Sequence, residues 1–111
     1  MDGRGMKGLL ADDDVVYEAT QVFDALSDLT RLQILGALSQ GDKSVGELTE
    51  LCSVSQSAIS HQLRLLRDRG LVAGRREGRR MVYALADEHV TTLLRVGLEH
   101  ASEAASPAGE E

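Results

Sequence analysis

The chain has 111 residues, 42% of them apolar, a formal net charge of −6, one cysteine and one proline. That length suits one domain with a small core, and no apolar run approaches the roughly 20 residues of a membrane span. The lone Cys52 excludes an internal disulfide framework and a multi-cysteine zinc finger, and the mixed charges and glycines of Met1 to Leu10 do not make a secretory signal, so a cytoplasmic protein is expected.

Residues 1–11 read as a flexible N-terminal tail. Asp12 to Asp14 place negative charge where a helix start favours it, and Val15, Val16, Ala19, Val22, Phe23 and Leu26 follow at helical spacing. A second helix starts near Ser27 or Asp28, both good N-cap types. Leu29, Leu32, Leu35 and Leu38 supply its stripe and Gly41 stops it. A third helix follows Ser44, with Glu47 completing a capping box and Val45, Leu48 and Leu51 as its apolar positions. Cys52-Ser53-Val54 is long enough only for a turn. Ser55 caps a fourth helix that turns Ala58, Ile59, Leu63 and Leu66 inward and closes at Gly70. Leu71 to Arg75 and Met81 to Leu85 are strand-like runs around the polar segment Arg76 to Arg80, a predicted hairpin. Asp87 opens a last helix that reaches about Ala105, and residues 106–111, with Pro107, read as a disordered tail.

The expected fold is therefore mainly α with a β-hairpin wing: a winged helix-turn-helix domain over residues 12–105. Its third and fourth helices form the helix-turn-helix. Charge is distributed to match. Seven arginines between Ser55 and Arg80 face only Asp68 and Glu77, a local +5 in a chain that is −11 elsewhere. Phosphates respond to the charge of a face, not to the molecular sum. Gln56, Ser57, Ser60, His61 and Gln62 are the polar positions of the fourth helix's first turns, the part that reaches base edges in this motif. Glutamine pairs with adenine, and serine or histidine can donate to bases or phosphates. Arg64 and Arg67 suit phosphates one and two turns on, and Arg76, Arg79 and Arg80 of the wing suit the adjacent backbone or minor groove. A solvated polar helix with a basic hairpin is the plainer alternative. It does not account for the combined order of cap, polar helix start, arginines and basic hairpin.

The segments Ala25-Leu26-Ser27-Asp28-Leu29-Thr30-Arg31-Leu32-Gln33-Ile34-Leu35 and Val54-Ser55-Gln56-Ser57-Ala58-Ile59-Ser60-His61-Gln62-Leu63-Arg64-Leu65-Leu66-Arg67 resemble the ArsR/SmtB repressor family, and the resemblance runs from about Val16 to Glu103. It implies a homodimer built on the first and last predicted helices. It also implies repression of metal efflux or homeostasis genes, relieved by inducer. Leu29 stands where the family commonly has proline, and leucine also suits an early helical position.

The last helix carries Asp87, His89, His100 and Glu103. His100 and Glu103 share a face one turn apart, and Asp87 converges on His89 if it is the cap. Eleven residues at about 100° each return His100 to the direction of His89, but about 16 Å along the axis. Zinc–nitrogen bonds are about 2 Å, so one ion cannot bridge both on one helix. An antiparallel pair of these helices would set Asp87 and His89 of one chain against His100 and Glu103 of the other, giving two equivalent sites. Two imidazoles and two carboxylates suit zinc or cobalt; nickel prefers further ligands, from the N-terminal tail or water. The four residues match the interfacial site of the family's zinc, cobalt and nickel sensors position by position. The resemblance further implies that His100 bonds backbone near Gly70 and so couples this site to the recognition helix. Family members that sense arsenite or cadmium do so through cysteines near the start of the third helix. Ser44 to Leu48 has none, and Cys52 reads as a small buried residue. The expected partners are operator DNA and a second copy of the chain, with no membrane and no small-molecule substrate. The alternative is a winged-helix regulator that senses thiol oxidation at Cys52 or a partner protein. A metal-dependent hydrolase is disfavoured, because no nucleophile stands beside a base and a closed four-ligand site leaves no position for substrate.

Overall fold

The computed structural model describes residues 3–105. Nine elements follow in order: α1 (Met6–Leu10), α2 (Asp13–Leu26), α3 (Leu29–Leu38), β1 (Lys43–Ser44), α4 (Val45–Cys52), α5 (Gln56–Asp68), β2 (Val72–Glu77), β3 (Arg80–Leu85) and α6 (Glu88–Ala105). The mainly α fold with a β wing is the one expected. The residues read as a disordered C-terminal tail, 106–111, lie outside the described residues. Among the described residues, no helix is long and apolar enough to cross a membrane.

Caps decide where the helices begin. Asp12 accepts from the Asp14 and Val15 amides to start α2, Asp28 from the Arg31 amide to start α3, and Ser55 from the Ala58 amide to start α5. Each acceptor satisfies an amide that has no partner within its own helix. At α4 the capping box is complete: Ser44 Oγ accepts from the Glu47 amide at 3.2 Å and Glu47 Oε1 accepts from the Ser44 amide at 2.8 Å. The Ser44 amide first, and then the Ser44 hydroxyl, hold the Glu47 carboxyl below its ordinary range.

The core lies where α3, α4 and α5 meet. Ile34, Leu35, Leu48, Ile59, Leu63 and Leu66 are fully buried, and Leu71 and Val72 at the wing base and Val90 and Leu94 of α6 close the cluster. Its sheet is antiparallel in the order β1-β3-β2. β2 pairs with β3 from Val72↔Leu85 to Glu77↔Arg80, and β1 joins through Lys43↔Tyr83 and Ser44↔Val82.

Four sequence expectations need correction. The segment read as a flexible tail, residues 1–11, includes the helix α1, and Arg4 ties its approach to α2 through a 2.8 Å ion pair with Asp12. Leu29 is exposed at 73% while Ile34 takes its place in the core. The loop assigned to Arg76 through Arg80 shrinks to Gly78-Arg79, with Gly78 at φ +63, because the strands pair as far as Glu77 and Arg80. Glycine at positive φ is what a two-residue hairpin loop asks for. Finally, β1 adds a third strand to the predicted hairpin.

Candidate nucleic-acid interface and metal centre

α4 and α5 are joined through Ser53, which sits in the left-handed region at φ 56. The helix-turn-helix therefore turns within three residues. Along α5, Ile59, Leu63 and Leu66 face the core. Ser57, His61 and Arg64 are exposed on the opposite side at the i, i+4, i+7 spacing of one stripe. Gln56 is exposed at the helix start and Arg67 near its end. Ser57 Oγ lies 3.2 Å from the capping Ser55 Oγ. Ser60 and Gln62 are half-buried on the two flanks of the helix. The Gln62 side chain has a partner: its Oε1 accepts from Arg31 Nη1 at 3.4 Å. Sequence reasoning missed Arg31. Its signal was present in the Asp28-to-Arg31 spacing, but its partners lie across a helix junction.

The wing extends this surface. Arg76, Arg79 and Arg80 are exposed, and Arg79 and Arg80 line one cleft with Gln56 and the start of α4. Wing and recognition-helix start therefore form a continuous basic and polar face. Arg75 is different. Its guanidinium reaches Asp42 Oδ2 at 2.7 Å and Glu77 Oε2 at 2.6 Å, and these carboxylates, Asp42 foremost, push its pKa still higher. Its charge is paired at the surface with the protein's own carboxylates.

The four predicted metal ligands are all exposed on or beside α6. Asp87 caps the helix, Oδ1 accepting from the Val90 amide at 3.2 Å. Its second oxygen lies 3.8 Å from His89 Nδ1. Asp87 and His89 are thus brought together. His100 and Glu103 are not brought to them, since α6 runs unbroken from Glu88 to Ala105 and separates the pairs by about 16 Å. Among the described residues, no group of three or more histidine, cysteine, aspartate or glutamate side chains could hold an ion within one chain. No hydrogen bond links His100 to Gly70 within the chain; Gly70, at φ +75, donates its amide to the Arg67 carbonyl at 2.9 Å.

Cys52 is half-buried at the end of α4, and desolvation pushes its thiol pKa up. That environment disfavours the reactive thiolate. The outer surface is more informative. α6 buries only Val90 and Leu94, leaving Val96 and Leu98 about half exposed, and Phe23 of α2 is 57% exposed. Phe23, Leu93, Leu98 and Ala101 line one apolar groove between α2 and α6.

Comparison with known proteins agrees with this architecture. The family model described as bacterial regulatory protein, arsR family, matches residues 28–73, from the cap of α3 into β2. The transcriptional repressor SmtB homolog of Synechocystis sp. is 42% identical over 90 residues, covering 81% of this chain and 68% of that protein. A cadmium resistance transcriptional regulatory protein CadC homolog of Staphylococcus aureus is 39% identical over 90 residues, covering 80% and 74%. Among solved structures, the homodimeric winged helix-turn-helix DNA-binding domain of a possible ArsR-family transcriptional regulator from Mycobacterium bovis superposes with a TM-score of 0.79 at 31% identity, covering 93% of this chain and 92% of that one. These relatives are transcriptional regulators rather than enzymes. In fold, in recognition helix and in sequence, the chain belongs to the arsR family of bacterial regulatory proteins, as a winged helix-turn-helix DNA-binding transcription regulator.

Proposed function

We propose that the chain is a homodimeric, metal-responsive repressor that leaves operator DNA when zinc, or alternatively cobalt or nickel, binds between its two copies, and that it controls metal efflux or homeostasis genes. Residues 12–105 form the DNA-binding and dimerisation unit. The observation that carries this reading is the division of four exposed donors between the two ends of α6. An imidazole and a carboxylate at each end make half of a zinc-type donor set twice over. Phe23, Leu93 and Leu98 offer the apolar surface on which two such helices could pair. A cadmium-resistance relative is consistent with metal regulation, although the thiol-free Ser44 to Leu48 segment argues against a soft-metal site there.

Asp87 and His89 of one chain, with His100 and Glu103 of the other, would hold the ion. Bound there, it supplies a cross-link between two α6 helices. The chain's own residues do the rest. Gln56, Ser57, Ser60, His61, Gln62, Arg64 and Arg67 present α5 to the major groove, and Arg76, Arg79 and Arg80 hold the flanking backbone. In a two-fold dimer both recognition helices must fit successive grooves at once, so a dimer geometry that changes their spacing weakens both contacts. His100, coupled toward Gly70 at the end of α5, is the proposed link between the two surfaces. Titrating zinc into the protein–DNA complex should lower affinity by about tenfold or more, the equivalent of about 1.4 kcal/mol of coupling. His100→Ala should abolish that response and leave metal-free DNA affinity intact. Undiminished DNA binding by the zinc-loaded protein would defeat the proposal.

A further inference from the structure

From α3, the Arg31 guanidinium reaches two other helices, α2 and α5. Nε donates to the Ala25 carbonyl at 2.8 Å and Nη2 to the Asp24 carbonyl at 3.3 Å, both in the last turn of α2. Its own amide donates to the α3 cap Asp28 at 3.0 Å. The remaining nitrogen, Nη1, reaches Gln62 Oε1 on α5. A guanidinium has donors and no acceptor, so the amide atom facing it must be oxygen. That pairing, at 3.4 Å, turns the oxygen of the Gln62 amide toward Arg31.

That orientation changes what Gln62 can do on DNA. Reading adenine takes both ends of the amide at once: the oxygen accepts from N6 and the nitrogen donates to N7. With its oxygen held toward Arg31, the end of Gln62 left for DNA is its amide nitrogen, whose N–H donors are what phosphate oxygens accept. Its placement agrees. Gln62 lies about 100° around the helix from His61, half-buried at the margin of the face that Ser57, His61 and Arg64 occupy. We propose that Arg31 is a positioning residue that holds the Gln62 oxygen toward itself and leaves the amide nitrogen for DNA, so that Gln62 clamps a DNA backbone phosphate instead of reading a base. The inference rests on the DNA-binding reading and refines it. Because the same guanidinium sits on the last turn of α2, the clamp also sets the register of the recognition helix against that outer helix.

The test uses the full chain and a pool of DNA duplexes with a randomised central segment, sequenced before and after selection, followed by affinities for the enriched duplexes. Gln62→Ala should lose about tenfold in affinity for every sequence alike, with base preferences unchanged. Gln62→Glu keeps an acceptor for Arg31, so its thermal midpoint should not fall. It should nevertheless bind DNA more weakly than Gln62→Ala, because it sets a negative charge against phosphate. A purely structural contact would instead let Gln62→Glu bind like the parent. Arg31→Lys should lose affinity, and adding Gln62→Ala to it should cost nothing further. A shifted base preference in Gln62→Ala, or unchanged affinity, overturns the proposal. A parent protein that enriches no sequence and retains no duplex overturns the DNA-binding reading itself, a separate outcome.

Discussion

Asp87 uses its two oxygens differently. Oδ1 closes the start of α6 on the Val90 amide, and the other faces His89. An anion at this end is also favoured by the helix macrodipole. The two roles can be separated. Asp87→Asn keeps a capping oxygen and removes the charge, so it should melt near the parent while its zinc affinity falls by about tenfold or more. Asp87→Ala should add a stability loss of about 1 kcal/mol, the usual worth of a cap; thermal melts beside zinc titrations distinguish the two. Glu47 supplies a matching case in pH. The Ser44 amide and hydroxyl hold its carboxyl below the ordinary 4.5. Its stabilising contribution is therefore present above pH 4.5 and disappears as pH falls through the lower folded value. Glu47→Gln should flatten the acid-side slope of stability, measured by denaturant unfolding between about pH 5 and 2, and an unchanged slope would remove Glu47 from the account.

At the scale of elements, the wing separates arginines that look alike in sequence. Arg76, Arg79 and Arg80 are exposed, whereas Arg75 is held by Asp42 and Glu77. Replacing Arg76, Arg79 or Arg80 by alanine should weaken binding across all sequences and reduce the salt slope by about 1 for each phosphate that is no longer neutralised. Arg75→Ala should leave that slope nearly unchanged. Equal slopes for all four variants would show that the carboxylates do not withhold Arg75. This distinction was not legible in the chain order, since Asp42 lies 33 residues from Arg75. The helix caps were legible, because a cap is a contact over two or three residues. The expected stripe Leu29, Leu32, Leu35, Leu38 failed for a geometric reason. Steps of three residues turn about 300° each, so four leucines drift about 180° around the helix and cannot share one face. Ile34 enters the core as Leu29 leaves it. The hairpin was legible as a hairpin, but its length was not. Exposed strand ends pair through backbone and need no apolar alternation, so Arg76-Glu77 and Arg80 read as loop. β1 escaped for a similar reason, being two residues defined by their partners Tyr83 and Val82.

The whole molecule is flat and spread, 46 × 42 × 20 Å with a radius of gyration of 16.0 Å, against about 13 Å for a compact chain of 100 residues. An 18-residue α6 that buries two side chains accounts for part of this. The exposed apolar residues on it, Val96 and Leu98, and Phe23 of α2 are the surface that the proposed second copy would cover. The sequence displayed the four donors of the proposed site but could not show whether they close within a chain or between chains. The length of α6 answers the first half: one chain holds two halves too far apart to meet. Mixing variants answers the second. Asp87→Ala/His89→Ala lacks the first half-site in both copies, and His100→Ala/Glu103→Ala lacks the second, so neither homodimer should bind zinc at this position. In their heterodimer, one site recovers all four donors and the other loses all four. After exchange of subunits at equal concentration, half of the dimers are mixed, and the pool should bind about a quarter of the parent's zinc. A site closed within one chain would show no recovery on mixing, and a variant that binds fully alone would show that its missing residues are not ligands. Leu98→Glu, placed in the groove between α2 and α6, supplies the matching control. If the groove is the dimer contact, this variant should sediment as a monomer and bind no zinc at the shared site, although all four donors remain in its sequence.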